Sequence, residues 1–154
     1  MAKAKITPFL WFDNQAEPAA RFYMSIFKNS KILATSPGPD GKPMVVNFQI
    51  EGQEIIALNG GPQFQFSEAF SLLVNCDTQE EVDYYWSRLT ADGGRESMCG
   101  WLKDQFGFSW QIVPVQLSKL LGDKDRERAG RVMQAMLKMK KLDIATLERA
   151  GRKA

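Results

Sequence analysis

The chain has 154 residues, a formal net charge of +2, 44% hydrophobic and 25% charged residues. These values are ordinary for a soluble globular protein, and the length allows one domain with a core or two small fused repeats. The sequence has no histidine, which excludes a Ser-His catalytic triad and any metal site that needs a histidine ligand.

Signals for membrane insertion and secretion are not found in the sequence. No apolar run approaches the ~18 residues of a membrane span, and the opening MAKAKITPF lacks the apolar stretch of a signal peptide. The two cysteines, Cys76 and Cys99, are predicted to be small hydrophobic residues without a disulfide. We therefore expect a cytoplasmic protein that does not associate with membranes.

The charge is unevenly distributed. Residues 124–154 carry ten Lys and Arg against four Asp and Glu. A basic tail of this kind can bind nucleic acid, but here the basic residues alternate with Val132, Met133, Met136 and Leu137. This pattern favours the solvated face of an amphipathic helix, and no aromatic or glycine-rich phosphate-binding pattern accompanies it. We do not expect a nucleic-acid partner.

The first half of the chain predicts the order β-α-β-β-β. The predicted elements are strands at residues 6–12, 31–36, 44–50 and 54–59 and a helix at residues 15–27. Ala16, Ala20, Tyr23 and Phe27 follow helical spacing, and Asp13 or Asn14 is the predicted N-cap of this helix. The last two strands are joined at Glu51-Gly52 as a hairpin.

The second half predicts the same order again. It has strands at residues 70–76, 95–98, 101–103 and 108–113 and a helix at residues 79–91, capped by Asp77 or Thr78. A step of 62 residues takes Ala20 to Val82 and Phe27 to Leu89, so the two helices share one bulky stripe. We predict one α+β domain of two βαβββ modules, at about residues 1–61 and 66–114. Helices at residues 115–121 and 123–150, within a C-terminal extension of about residues 115–151, are expected to pack across a partner subunit.

Several stretches carry a family resemblance that spans nearly the whole chain. They are PFLWFDNQAEPAARFYMSIF, FQIEGQEIIALNGGP, VNCDTQEEVDYYWSRL, CGWLKDQFGFSWQIVP and MLKMKKLDIATLERA. Together they resemble the PhnB-like, 3-demethylubiquinone-9 3-methyltransferase branch of the vicinal oxygen chelate superfamily, which includes glyoxalase I, bleomycin-resistance and dioxygenase proteins. The resemblance implies paired βαβββ modules and a homodimer.

The resemblance also implies where a divalent metal would bind in enzymes of the superfamily. The ligand positions correspond to Pro8, Ser71 and Gln111 in this chain. Proline has no donor atom on its side chain, and neutral serine and glutamine oxygens are poor ligands for zinc, iron or nickel. We therefore predict that the metal chemistry of the superfamily does not transfer to this chain.

The sequence gives no clear sign of another cofactor or of a catalytic residue. No glycine-rich turn leads from a strand into a helix, and Asn59–Pro62 is predicted to be a turn between the modules. Cys99 has no histidine to activate it and is predicted to be structural. Asp104 is predicted to hydrogen-bond its own backbone in a turn.

The candidate ligand-binding residues are polar side chains at strand ends and aromatic side chains on strands. They are Gln111, Asn59, Ser71, Trp11, Trp101, Trp110 and Phe48. The alternative for each amide is a partner in the neighbouring backbone, and the alternative for each aromatic ring is a place in the core. The leading hypothesis is a metal-independent protein that binds a small apolar or aromatic molecule in a cleft between the modules.

Two other functions stay open at this point. The chain could be an enzyme of the 3-demethylubiquinone-9 3-methyltransferase type, or another metal-independent transferase, lyase or isomerase. It could also be an interaction protein whose basic C-terminal helices bind a partner.

Overall fold

The computed structural model describes residues 4–152, so the parts of these predictions that concern residues 1–3, 153 and 154 lie outside it. The elements, in chain order, are β1 (Phe9–Phe12), α1 (Ala16–Ile26), β2 (Lys31–Pro37), β3 (Pro43–Ile50), β4 (Gln53–Asn59), β5 (Ser71–Cys76), α2 (Gln79–Thr90), a 3-10 turn (Ala91–Gly93), β6 (Arg95–Glu96), β7 (Trp101–Lys103), β8 (Ser109–Pro114), α3 (Gln116–Leu121), α4 (Arg126–Leu137) and α5 (Ile144–Arg152). The chain divides into two compact units, of which the first ends at Phe66 and the second begins at Ser67.

The first unit is a four-stranded mixed sheet with α1 on one face. The strand order is β1-β4-β3-β2, with β1 parallel to β4 and the other pairs antiparallel. Ala16, Ala19, Ala20 and Tyr23 are buried on α1, where they bury apolar surface. Side chains alternate between the two faces of each strand, so only one face of the sheet packs against this helix.

The second unit repeats the arrangement. Its strand order is β5-β8-β7-β6, with β5 parallel to β8 and the other pairs antiparallel. Val82, Trp86 and Leu89 form the buried stripe of α2, and Thr78 caps this helix by accepting a hydrogen bond from the Glu81 backbone. The predicted α+β fold of two βαβββ modules is confirmed.

Two predicted strands extend at least two residues beyond the strands of the structure. The first begins at Phe9 rather than at residue 6, and β6 ends at Glu96 rather than at residue 98. After β6 the chain turns: the Ser97 N–H bonds the Trp101 carbonyl, and Cys99 has a φ of 59°. This left-handed backbone cannot continue a strand.

The C-terminal extension is three helices instead of the predicted two. The predicted helix at residues 123–150 breaks between α4 and α5, because the backbone N–H groups of Cys99 and Gly100 bond the carbonyls of Met139 and Lys140. These carbonyls are therefore held by the turn before β7. Leu142, in the same break, is fully buried.

The extension packs on the second unit of its own chain, and its expected contact with a partner subunit stays a prediction. Leu117, Val132, Leu142 and Leu147 form a buried cluster, and Val113 of β8 packs against it. This cluster enlarges the buried apolar core of the second unit beyond the βαβββ module. The three helices therefore belong to the core of the second unit.

Candidate functional site

The opposite faces of β8 carry different chemistry. Trp110 and Ile112 are buried on the face that α2 covers. Ser109, Gln111 and Val113 alternate with them and therefore point to the other face. A strand in the middle of the sheet thus presents an apolar surface to the core and a mixed surface to the opposite side.

Strand register brings Ser71 and Gln111 together on the face opposite α2. Gln111 is paired with Leu73 on β5 and with Trp101 on β7, and Ser71 is paired with Ser109. The Gln111 side-chain amide donates a 3.0 Å hydrogen bond to the Ser71 hydroxyl. We call this surface the Gln111 face; its members are Ser71, Leu73, Trp101, Lys103, Ser109 and Gln111.

Gln111 and Ser71 keep hydrogen-bonding capacity after they bind each other. Both are partly buried, and within residues 4–152 no group hydrogen-bonds the Gln111 carbonyl oxygen Oε1. The Ser71 hydroxyl accepts from Gln111 and can still donate its own proton. The pair can therefore offer one acceptor and at least one donor to a bound molecule.

Ser109 is a third polar residue on this face and was not among the residues predicted from the sequence. Its side chain is 1% exposed, and its hydroxyl oxygen has no hydrogen-bond partner among the residues that the structure describes. Buried polar groups normally have partners, so an unpaired one requires an explanation. The sequence did contain a signal for it, because a residue two positions before Gln111 on the same strand points to the same face.

Lys103 places a positive charge on the same face and was also missed. It is directly opposite Ser109 in the β7–β8 pair, and its ammonium forms a 2.6 Å ion pair with Glu68. The hydrogen bond from Lys103 lowers the pKa of the Glu68 carboxyl. Glu68 lies nearby in space but outside any strand, which is why strand patterns did not indicate the pair.

Asp104 fixes the turn that leads into β8. Its side chain is 2% exposed and accepts hydrogen bonds from the backbone N–H groups of Phe106 and Phe108, as predicted for a turn residue. It also accepts a 2.9 Å hydrogen bond from the Trp110 indole. Trp110 is therefore held in the core with 2% exposure, which contradicts its selection as a ligand contact.

Asn59 and Phe48, in the first unit, lie on the side of the sheet that α1 covers. Asn59 accepts a 2.8 Å hydrogen bond from the Ala16 backbone and donates one of 3.0 Å to the Pro43 carbonyl. It supplies the cap that was predicted from Asp13 or Asn14, while Gln15 at the N-cap position makes no side-chain bond. Phe48 is fully buried in the core.

Trp11 lies on the opposite face of the first sheet. Its indole donates a 2.9 Å hydrogen bond to the Gly61 carbonyl, and its ring meets Phe64 edge-on at 4.9 Å between centroids. The ring is partly buried, whereas Phe64 is 64% exposed. Trp11 therefore stays a candidate ligand contact of the first unit.

The two cysteines are free thiols. Burial raises the pKa of Cys76 to about 12, with the nearby carboxylates of Glu81 and Asp77 adding to the effect. A thiol with this pKa is neutral at physiological pH and is not an activated nucleophile. Cys99 is partly buried in the turn before β7, and its backbone holds the C-terminal extension.

The positions that correspond to the superfamily's metal ligands do not fit a metal. Ser71 and Gln111 hydrogen-bond each other but offer only neutral oxygens, and Pro8 offers no side-chain donor. In residues 4–152 no three Cys, Asp or Glu side chains are grouped as a metal-binding set. We derive no chemical step through a metal at these residues.

The described helices include none that is long and apolar enough to cross a membrane.

Comparison with known proteins assigns the chain to a family. Residues 4–113 match the family model described as 3-demethylubiquinone-9 3-methyltransferase. No curated protein matches the chain. The match ends at Val113, so α3, α4 and α5 lie outside it.

Solved structures agree with this assignment. A PhnB protein from Bacillus cereus is 33% identical, with a TM-score of 0.67; the similarity covers 73% of this chain and 100% of that one. The protein PA1353 from Pseudomonas aeruginosa shares the fold at 17% identity and a TM-score of 0.60, over 73% of this chain and 98% of that one. The fosfomycin resistance protein FosX from Listeria monocytogenes, solved with Mn(II) and sulfate, also shares the fold. Its sequence identity is 18% and its TM-score is 0.53, over 74% of this chain and 91% of that one. The chain belongs to the 3-demethylubiquinone-9 3-methyltransferase family.

Proposed function

We propose that the Gln111 face binds a small, largely apolar or aromatic molecule without the help of a metal. The observation that carries the proposal is the hydrogen bond between Gln111 and Ser71. The family resemblance assigns these residues to positions of metal ligands, and here they form a neutral pair. A neutral amide and hydroxyl are suited to hydrogen-bonding an uncharged polar group of a ligand.

The surroundings of this pair support an apolar ligand. Trp101 is partly buried beside Gln111, and Leu73 is 47% exposed on its other side. Small-molecule sites are mostly hydrophobic and aromatic, with a few polar groups that fix the orientation of the ligand. An indole ring, an aliphatic side chain and a single amide-hydroxyl pair have this composition.

The test uses 2-naphthamide, an aromatic molecule with one uncharged amide, as the probe. We expect saturable binding in equilibrium dialysis, and Gln111→Leu should weaken it by about five- to tenfold, corresponding to a hydrogen bond of ~1 kcal/mol. The matched control is Gln134→Leu, which removes an exposed glutamine of α4 and should bind the probe like the wild type. Absence of saturable binding, or equal weakening by both substitutions, would count against the proposal.

Metal independence has a separate test. Metal analysis of the purified protein should find less than stoichiometric zinc, iron and nickel, and treatment with a chelator should leave probe binding unchanged. Stoichiometric metal that is lost together with binding would overturn this part of the proposal.

Enzymatic activity is the second candidate, because the family description names a 3-demethylubiquinone-9 3-methyltransferase. Its test is methyl transfer from S-adenosylmethionine to a demethylated quinol. Activity that Gln111→Leu abolishes while the fold is retained would establish the enzyme and place the reaction at the Gln111 face.

We also propose a homodimer in the cytoplasm. Family membership supports the dimer, and the two free thiols suit a reducing compartment. Light scattering after size exclusion should give twice the chain mass of 17.4 kDa; a mass of one chain would contradict the dimer.

A further inference from the structure

The Gln111 face holds two features that binding of a neutral molecule does not explain. One is the buried Ser109 hydroxyl, which has no hydrogen-bond partner in residues 4–152. The other is the ammonium of Lys103, which forms an ion pair with Glu68 from outside the sheet and has Arg95 of β6 opposite it on the same face. Both features lie in the second unit, at the same level of the β7–β8 pair.

We propose that Lys103 and Ser109 anchor a carboxylate of the ligand, and that Glu68 occupies the Lys103 side of this anchor in the free protein. The inference rests on the proposed function, because it assigns the ligand class of the same face. The natural ligand is then an amphiphilic anion, with a carboxylate at one end and an apolar or aromatic body at the other.

Strand geometry supports a shared anchor. Lys103 and Ser109 are direct cross-strand partners, and such partners have Cβ atoms about 4.5–5.5 Å apart on one face of an antiparallel pair. The Ser109 hydroxyl is closed to solvent in the free protein, so an oxyanion held by Lys103 reaches it once the side chains that cover it move aside. Gln111 follows Ser109 by two residues on the same face, so the body of such a ligand would extend along β8 toward Gln111 and Trp101.

Glu68 has the properties of a group that a ligand can displace. Its side chain is 65% exposed, and it belongs to a segment between β4 and β5 with no regular structure. An ion pair this exposed contributes little to stability. In the free protein Lys103 pairs with Glu68, and the buried Ser109 hydroxyl has no partner in residues 4–152. A ligand carboxylate that bonds both Lys103 and Ser109 would gain the hydrogen bond to this hydroxyl.

The test compares two probes that share a ring system and differ in charge, 2-naphthoate and 2-naphthamide. We expect the wild type to bind the carboxylate about fivefold more tightly than the amide, as charge-assisted hydrogen bonds are the stronger kind. Lys103→Met should lower the ratio of carboxylate to amide affinity toward one. The control Lys119→Met removes an exposed lysine of α3 and should keep the preference.

Two further variants separate the anchor from a general effect of charge. Glu68→Gln removes the competing carboxylate and should tighten 2-naphthoate binding by about threefold, whereas Glu80→Gln, which removes an exposed carboxylate of α2, should not. Ser109→Ala should lower the ratio of carboxylate to amide affinity. A purely structural role of Ser109 would leave the ratio of the two affinities unchanged.

The outcomes distinguish this inference from the function on which it rests. Binding of both probes with equal affinity, in the wild type and in Lys103→Met, overturns the anchor and leaves the proposed function intact. Equal effects of Glu68→Gln and Glu80→Gln overturn the role of Glu68. If neither probe binds, both proposals fail.

Discussion

The Trp110 indole donates a 2.9 Å hydrogen bond to the Asp104 carboxylate, and both side chains are 2% exposed. Six residues separate them along the chain. Asp104 also accepts hydrogen bonds from the backbone N–H groups of Phe106 and Phe108. One carboxylate therefore fixes both the turn and the Trp110 ring at the start of β8. Gln111 follows Trp110 directly, and successive side chains of a strand point to opposite faces. The contact that holds Trp110 in the core therefore also directs the Gln111 side chain to the other face of the sheet.

Asp104→Asn should destabilise the protein by about 2–4 kcal/mol, because an amide offers one acceptor oxygen where two are used and turns a donor toward buried N–H groups. Urea unfolding at neutral pH measures the loss. The control Asp13→Asn makes the same change at an exposed aspartate and should shift the free energy of unfolding by less than ~0.5 kcal/mol. Equal effects would show that the buried contact contributes nothing specific.

Leu142→Ala tests whether the C-terminal extension is part of the second unit's core. Leu142 is fully buried among Leu117, Val132 and Leu147, so its truncation should cost about 2–5 kcal/mol through lost burial and an unfilled cavity. Leu137→Ala removes the same atoms from a side chain that is 49% exposed and should cost much less. If the extension were a loosely attached arm, the two variants would unfold alike.

The fold was predictable from the sequence because its signals are local. The helical spacing of Ala16, Ala20 and Tyr23 and the cap at Thr78 depend on residues within a few positions of each other. The break between α4 and α5 was not predictable, because Met139 and Lys140 are held by Cys99 and Gly100 from about 40 positions earlier. A regular polar-apolar pattern continues through the break, so periodicity alone predicts one long helix.

The candidate site was predictable only in part, for the same physical reason. Spacing against the family pattern predicted that Ser71 and Gln111 are equivalent to ligand positions, and the structure brings them within 3.0 Å. Asn59 was selected for its similar place at a strand end, but it binds the backbone of Ala16, 43 positions away. Ser109 was missed because the absence of a partner for a hydroxyl is visible only in three dimensions.

Acid should weaken the attachment of the C-terminal extension. Hydrogen bonds from the Thr146 side chain and backbone lower the pKa of Asp143, and a hydrogen bond from Lys141, with a second from Gln79, lowers that of Asp83. A carboxyl with a lowered pKa in the folded state stabilises the fold above its ordinary value of 3.8. This contribution is lost as the pH falls through the lowered value.

The free energy of unfolding should therefore decrease between pH 6 and about pH 3, and the decrease should be smaller in Asp143→Asn. Asparagine can still cap α5 through its side-chain oxygen but does not titrate. Urea unfolding at the two pH values provides the measurement. An identical decrease in the variant would assign the acid sensitivity to other carboxylates.

Alkylation should distinguish the two thiols. At pH 8 the Cys76 thiol remains protonated, because burial holds its pKa at about 12, and its side chain has no exposed surface. Iodoacetamide reacts with thiolates, so mass spectrometry of the native protein should show at most one added group, located at Cys99, which is partly exposed. In concentrated urea both thiols should react. Modification of Cys76 in the native protein, at a rate similar to that in urea, would mean that the end of β5 opens readily, contrary to its place in the core.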